Sequence, residues 1–302
     1  MTMAAPPLSH PSIPAPGGRS PWSFRMSGQS LAGAAPLGDA PSRFRLFPRR
    51  LGAARRFVAP VVLVLLWQLA AQAGLVSTRL LASPAAIATA AWQLIASGEL
   101  AYHLAVSLRR VAIGLAIALG FAVPLGLLAG LSRLGEDLVD ATLQMLRALP
   151  FLALVPLLIL WLGIGEATKI ALVALGAAFP IYLTLFGGIR GVDPKLLEAG
   201  RVFGLSRAGL IRHIVLPGAL PQALVGLRYA LGTAWLSLVV GEQINATAGI
   251  GYLVMDAREF LRTDIILVGL LVYALLGLGA DQLVRFIEKA ALAWRPSVLG
   301  ER

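Results

Sequence analysis

Charged side chains that could bind a partner are concentrated in one stretch of the chain, residues 193–222, which we call the charged segment. It reads DPKLLEAGRVFGLSRAGLIRHIVLPGALPQ, and its charged residues include Lys195, Glu198, Arg201, Arg207 and Arg212. Carboxylate and guanidinium groups at an interface form ion pairs that set the register between two proteins. The segment is too polar to cross a bilayer and too apolar for a solvated loop. We therefore expect it to lie on the membrane surface or on a partner protein.

Groups that could perform catalysis or bind a metal are sparse. The chain has no cysteine, which excludes disulfides, thiolate metal sites and a cysteine nucleophile. The three histidines, His10, His103 and His213, are far apart in the sequence, so we expect no metal site. The pattern G-x-x-x-x-G-K-[ST] is missing, so we expect no ATP bound through a phosphate-binding loop. The sequence predicts that this chain is not an enzyme and binds no cofactor itself.

A second set of polar residues could line a path through a membrane. Trp235 and Ser237 lie inside a long apolar run, although a tryptophan in a membrane helix more often serves packing. Glu242 follows the run directly, with Gln243 and Asn245, and could belong to an outer vestibule. Ordinary loop polarity is the alternative for these three residues. We assign Trp235, Ser237 and Glu242 to a candidate translocation path.

The composition indicates which solvent surrounds these candidate sites. Of 302 residues, 58% are hydrophobic and only 14% are charged, against about 25% charged in a soluble domain. One core of this size cannot bury that apolar excess, so lipid is the expected solvent. The net charge of +11 comes mainly from arginine, which in a membrane protein marks the cytoplasmic side. We expect no nucleic-acid partner.

The apolar runs predict an all-α integral membrane protein with six spanning helices. A bilayer core requires about 20 mostly apolar residues per helix. The predicted spans are residues 57–76, 104–131, 143–162, 170–189, 223–240 and 265–286. Between the first two, Ser83 and Pro84 begin a short helix that we expect at the membrane interface. Gly126 and Gly130, one turn apart, predict a close helix contact.

The sequence also predicts a tail at each end of the chain and an orientation of the spans in the membrane. Residues 1–55 predict a disordered cytoplasmic tail rich in Pro and Arg, or an extension before a true start at Met26. Residues 56–297 form the transmembrane domain and 298–302 a C-terminal tail. With both termini cytoplasmic, 20 basic residues lie inside and six outside. Arg109 and Arg110 fit this scheme poorly, so they must snorkel, pair or face protein.

The charged segment itself predicts two short helices joined at a glycine. Asp193 is a suitable N-cap with Pro194 after it, and Gly204 is a natural stop. Ser206 caps a second helix, which we expect Pro217 and the proline at 221 to end before the fifth span. The segment should then fold as a helical hairpin and not as an irregular loop.

The spacing within the segment resembles the EAA loop of membrane subunits in ATP-binding cassette importers. That pattern is E-A-A, three residues, G, nine residues, I-x-L-P. The six matching residues here are Glu198, Ala199, Gly204, Ile214, Leu216 and Pro217, with Gly200 at the third position. Gly200 departs from the pattern, because alanine is usual there. Over about residues 57–297, the chain looks similar to permeases of the sulfonate, taurine and nitrate group, most of all to aliphatic-sulfonate permeases.

The resemblance implies partners and a mechanism. Two permease copies would form the path in a bacterial inner membrane, a cytoplasmic ATPase dimer would hold ATP and Mg, and a periplasmic binding protein would deliver the substrate. The coupling residues would be Glu198, Ala199, Gly200, Arg201, Gly204, Ile214, Leu216 and Pro217. Val202, Phe203 and Leu205 would add an apolar grip on the ATPase, whose closure would drive alternating access.

The implied cargo is a small organic anion, with aliphatic sulfonates first. Taurine, nitrate or a pyrimidine precursor are alternatives within the same class. A channel or secondary transporter is a more distant alternative, which mid-span charges would favour. The charges here lie mostly at predicted span ends, which argues against ion coupling.

Overall fold

A computed structural model gives the fold of residues 55–77 and 80–294. The predicted tails at 1–55 and 298–302 lie outside these residues, apart from Arg55. The described residues form helices and no strand. The α-helices are α1 (Arg55–Gln72), α2 (Pro84–Ala96), α3 (Glu99–Leu131), α4 (Arg133–Gly135), α5 (Ala141–Arg147), α6 (Val155–Leu162), α7 (Glu166–Arg190), α8 (Pro194–Val202), α9 (Arg207–Leu210), α10 (Leu216–Gln243), α11 (Ile250–Glu259) and α12 (Thr263–Ala291).

Four continuous helices in the described residues are long and apolar enough to cross a membrane. They are α3, α7, α12 and the unbroken helix Arg207–Gln243, which contains α9 and α10. These helices confirm the second, fourth, fifth and sixth predicted spans, and each extends beyond the predicted apolar run. The extension is physically reasonable because a helix continues past the hydrocarbon core until a cap or turn ends it.

The other two predicted spans differ from the structure. The third, residues 143–162, is a pair of helical pieces, Arg133–Arg147 and Phe151–Leu162, bent by 84°. Pro150 lies at the break, where it offers no N–H and disfavours helical backbone at the residue before it. The first predicted span, residues 57–76, is the shorter helix α1, which ends at Gln72.

The short helix between the first two predicted spans is confirmed as α2. Its first turn is capped by Ser83, whose Oγ accepts a hydrogen bond from the Ala86 N–H at 3.2 Å. Pro84 occupies the first position, where a missing N–H leaves nothing unpaired. The helix buries Ile87, Ala90 and Leu94 against α11 and α12. α2 therefore covers one side of the bundle.

The centre of the fold is a block of three helices, α3, α7 and α10. Their shared core consists largely of small residues, including Ala118 and Ala122 of α3, Ala177 of α7, and Ala230 and Ala234 of α10. Small side chains let helix backbones approach closely, which is how membrane helices gain packing energy without a hydrophobic effect between them. The three helices therefore form the central packed block of the described residues.

Glycines of α3 lie at its contact with α7, as the Gly126 and Gly130 pair predicts. A Cβ added to Gly126 would lie 3.1 Å from Leu185 Cδ2, and one on Gly130 would lie 2.8 Å from Ile189 Cδ1. At Gly114 the clash is greater, with Val173 Cγ1 at 2.6 Å and the Ile170 carbonyl oxygen at 3.1 Å. The α3–α7 contact therefore depends on glycine at three positions of α3.

Replacement of Gly114 tests this packing. Gly114→Ala should lower the free energy of unfolding by about 1–3 kcal/mol, because a β-branched side chain and a backbone oxygen must move. Thermal unfolding of the purified protein in detergent measures the change. Gly120→Ala on the same helix is the matched control, since nothing lies within 4 Å of the added Cβ. Equal melting temperatures for both variants would contradict the packing described here.

Candidate functional site

The charged segment is a helical hairpin, as its sequence predicts. α8 begins after Asp193, whose Oδ1 accepts a hydrogen bond from the Lys195 N–H at 2.9 Å. α9 begins after Ser206, whose Oγ accepts from the Gly209 N–H at 3.2 Å. Both predicted caps are therefore confirmed.

The end of the second helix is where the prediction is wrong. α9 does not stop before the fifth span, because the π-helical turn Ile211–Val215 continues it into α10. Pro217 lies in the first turn of α10, and Pro221 lies inside the helix. A π turn carries an extra residue and changes the hydrogen-bond register, so helical backbone can continue toward prolines that would otherwise break it. The segment is thus joined to α10 by helix.

The turn of the hairpin is closed by Gly204. This residue has a φ of +80°, a left-handed conformation that costs most other residues energy. The Leu205 N–H donates to the Gly200 carbonyl at 3.0 Å, and the Gly204 N–H donates to the Arg201 carbonyl at 2.9 Å. This pair of bonds is the Schellman arrangement that ends a helix and fixes the direction of the following chain. The hairpin tip therefore has a defined shape.

Gly200, the position at which alanine is usual, lies inside the hairpin. It is buried, and an added Cβ would lie 2.6 Å from Ile214 Cδ1 and 2.7 Å from Leu210 Cδ2. A methyl group there would displace the ends of the Ile214 and Leu210 side chains. Within this chain, Gly200 and Ile214 hold the hairpin together.

The outer surface of the hairpin is an apolar tip flanked by charges. Val202 and Phe203 are 85% and 86% exposed, the highest values among the large apolar side chains of the described residues. Glu198, Ala199, Arg201 and Gly204 are also exposed. Neither Glu198 nor Arg201 forms an ion pair with any described residue. Leu216 is 39% exposed and Pro217 is partly buried, both at the start of α10.

A buried ionic cluster lies at the other end of the helical block. We call the end that carries the charged segment the segment end, and the end where α7 begins and α10 ends the far end. At the far end Arg110 of α3 is only 1% exposed. Its Nη1 donates to Glu242 Oε1 of α10 at 2.7 Å. Its Nε and Nη2 donate to the two carboxylate oxygens of Glu166, at the start of α7, at 2.8 and 2.5 Å.

The same cluster fixes the loop between α10 and α11. Arg110 Nη1 also donates to the Ala248 carbonyl at 2.6 Å, and Glu242 Oε2 accepts from the Gly251 N–H at 2.7 Å. The Ser107 hydroxyl donates to Glu242 Oε1 and accepts from the Ile250 N–H, at 2.7 and 2.9 Å. The first N–H groups of α11 are therefore satisfied by side chains of α3 and α10. We call Ser107, Arg110, Glu166 and Glu242 the Arg110 cluster.

The cluster resolves the poor fit of Arg110 to the orientation rule. Of the three options open from the sequence, Arg110 pairs and is enclosed by protein, whereas its neighbour Arg109 is exposed. Sequence reasoning did not identify Glu166 as its partner. The available signal was that an arginine within an apolar run requires an acidic partner, and Glu166 and Glu242 flank spans whose ends lie on the same side.

The three residues assigned to a path are buried or partly buried within a single copy of the chain. Ser237 is fully buried, and its hydroxyl donates to the Thr233 carbonyl at 2.7 Å beside Gly176 of α7. Trp235 is partly buried against the central block, and its indole N–H has no partner among the described residues. Glu242 belongs to the Arg110 cluster. The assignment of these residues to a path stays a prediction.

Comparisons with known proteins agree with this architecture. The family described as "Binding-protein-dependent transport system inner membrane component" matches residues 122–292. The chain is 52% identical over 238 residues to the aliphatic sulfonates transport permease protein SsuC of Escherichia coli K12, covering 79% of this chain and 90% of that protein. It is 43% identical over 252 residues to the SsuC protein of Bacillus subtilis 168, covering 83% and 91%.

A more distant relative and a solved structure extend the comparison. The taurine transport system permease protein TauC of Escherichia coli K12 is 37% identical over 196 residues, covering 65% of this chain and 71% of TauC. A crystal structure of an amino acid ABC transporter with histidines matches 62% of this chain and 92% of its own, with a TM-score of 0.54. At 16% identity, that match supports the fold alone. The chain belongs to the family of binding-protein-dependent transport system inner membrane components, the permease subunits of ABC transporters.

Proposed function

We propose that this permease forms the translocation path of an importer for aliphatic sulfonates. The observation that carries the substrate class is the 52% identity, over most of both chains, to a protein named for aliphatic sulfonate transport. The relative named for taurine, itself a sulfonate, follows at 37%. Nitrate and a pyrimidine precursor are alternative cargoes of the same kind of permease.

The charged segment is the proposed contact with a separate ATPase. Its exposed Val202 and Phe203 supply apolar area for a groove on the partner, and Glu198 and Arg201 supply unpaired charges beside it. Ala199 and Gly204 add small surfaces that permit close approach. The other four residues would support the contact without touching the ATPase. Gly200 and Ile214 pack inside the hairpin, and Leu216 and Pro217 begin α10. ATP and Mg would bind to the partner.

The hairpin is joined to α7 and α10 by short or helical connections, so it can act on both helices as a lever. α7 ends at Arg190 and α8 begins at Pro194, so three residues join them. On the other side, α9 continues into α10 as helix. A displacement of the tip therefore passes into α7 and α10 with little lost to flexible chain. This connection supports alternating access driven by closure of the ATPase.

The proposed assembly has a defined orientation. The segment end faces the cytoplasm of a bacterium, with both termini on that side and six spans in its inner membrane. The excess of lysine and arginine in the predicted inside segments supports this orientation. The far end then faces a periplasmic binding protein. A second copy of the chain completes the path, and Trp235, Ser237 and Glu242 are the residues of this copy assigned to it.

A charge at the hairpin tip tests the ATPase contact. Phe203→Asp should abolish co-purification of the ATPase without reducing membrane insertion, because a carboxylate would be desolvated in an apolar groove. Gly204→Trp should act in the same direction by blocking close approach. Phe260→Asp is the matched control, since Phe260 is 71% exposed just before α12, at the far end. Normal ATPase binding and transport by both tip variants would contradict the coupling role.

The cargo is tested by ligand binding to the partner binding protein, in which the family resemblance places selectivity. Ethanesulfonate, taurine and nitrate are compared by calorimetry. We expect alkanesulfonates to bind at least about tenfold more tightly than nitrate, a difference of roughly 1.4 kcal/mol. Tight nitrate binding with no alkanesulfonate binding would refute the substrate class and leave the permease assignment unaffected.

A further inference from the structure

We propose that Arg110 is a positioning residue that makes α3, α7 and α10 move as one body during transport. It would tie together the far ends of the two helices that leave the charged segment, and pass their motion to the α10–α11 loop. The proposal rests on the proposed function, since it takes the charged segment as the point where the ATPase acts.

The connectivity of the chain is the first support. α7 enters the charged segment and α10 leaves it, so both helices receive any force applied there. Their opposite ends carry Glu166 and Glu242, and these two carboxylates bind the same guanidinium. Arg110 itself belongs to α3, which is not part of the lever. One side chain therefore closes a loop of three helices at the far end.

Packing between the ends supports the same conclusion. α3 contacts α7 through glycines at 114, 126 and 130, and α7 contacts α10 where Gly176 meets Ser237 and where Gly226 meets Thr184. Such close glycine contacts resist sliding, because any shift brings side chains into the neighbouring backbone. Gly114, which is the α3 glycine nearest the far end, lies about one helical turn from Arg110. The cluster thus begins where the glycine contacts end.

Charge and burial identify which member of the cluster can be changed safely. Glu242 has a fully buried side chain, so its loss would leave Arg110 without its most enclosed partner. The side chain of Glu166 is 45% exposed. If Glu166 is neutralised, Arg110 keeps a one-to-one pair with Glu242. The buried Lys169, whose Nζ lies 4.0 Å from Glu166, keeps its hydrogen bond to the Gly165 carbonyl at 3.3 Å. Glu166→Gln should therefore weaken the tie to α7 and preserve the fold, because the amide offers Arg110 one neutral acceptor oxygen in place of two charged ones.

The bonds of the Arg110 cluster to the α10–α11 loop connect the cluster to transport. The Ala248 carbonyl and the N–H groups of Ile250 and Gly251 are bonded to Arg110, Ser107 and Glu242. This loop would therefore follow the helical block when the block moves. In the proposed orientation it lies at the mouth that receives substrate. Motion begun at the ATPase would reach the mouth through Arg110.

The test uses the full permease with its ATPase and binding protein in proteoliposomes. Radiolabelled ethanesulfonate uptake and ATP hydrolysis are measured together, and their ratio is the readout. For Glu166→Gln we expect normal assembly, normal basal hydrolysis and a ratio lowered at least about tenfold, since a bidentate hydrogen bond between charged groups is lost. Glu166→Asp, which keeps the charge, should recover most of the ratio.

The matched control is Glu99→Gln, another half-exposed glutamate at the far end, which lies 3.9 Å from the His103 imidazole. Its transport ratio should equal that of the wild type. An unchanged ratio in Glu166→Gln would overturn the proposal, and so would failure of that variant to assemble, because Glu166 would then serve folding. Neither result affects the ATPase contact, which the Phe203 variant tests separately by co-purification.

Discussion

Arg110, which is itself buried, donates from three nitrogens to two carboxylates and a backbone carbonyl. A buried guanidinium is costly unless every donor is matched, so the elements around it must keep their positions. Those elements are α3, both helices attached to the charged segment, and the start of α11. The pairing therefore constrains the far end of the molecule, whereas glycine and alanine contacts constrain the helices between the two ends.

The segment end is organised by a different physical principle. There the backbone is stiffened by capped helices, a left-handed glycine and the close contact of Gly200 with Leu210 and Ile214. The large apolar side chains Val202 and Phe203 are left outside. A rigid hairpin with an exposed apolar tip can transmit force, because a flexible loop would dissipate it. The permease thus has a stiff contact at one end and an ionic tie at the other.

The sequence predicted most features that arise from local chemistry. The caps at Asp193 and Ser206, the glycine turn, the helix contact at Gly126 and four of the spans all follow from neighbouring residues. It did not predict the continuous helix through Pro217, since a π turn has no simple sequence pattern. It also did not predict the partners of Arg110, because Glu166 and Glu242 are 56 and 132 positions away. Such pairing depends on how distant helices pack.

The most direct measurement of the one-body account is a cross-link between α3 and α7, which is practical because the chain has no cysteine. A Cβ built on Gly126 lies 3.5 Å from Leu185 Cβ, within the range that a disulfide spans. Gly126→Cys with Leu185→Cys should therefore form a disulfide on oxidation, and transport per ATP should stay at the level of the reduced protein. Loss of transport on oxidation, restored by reduction, would show that α3 and α7 move apart and would contradict the account.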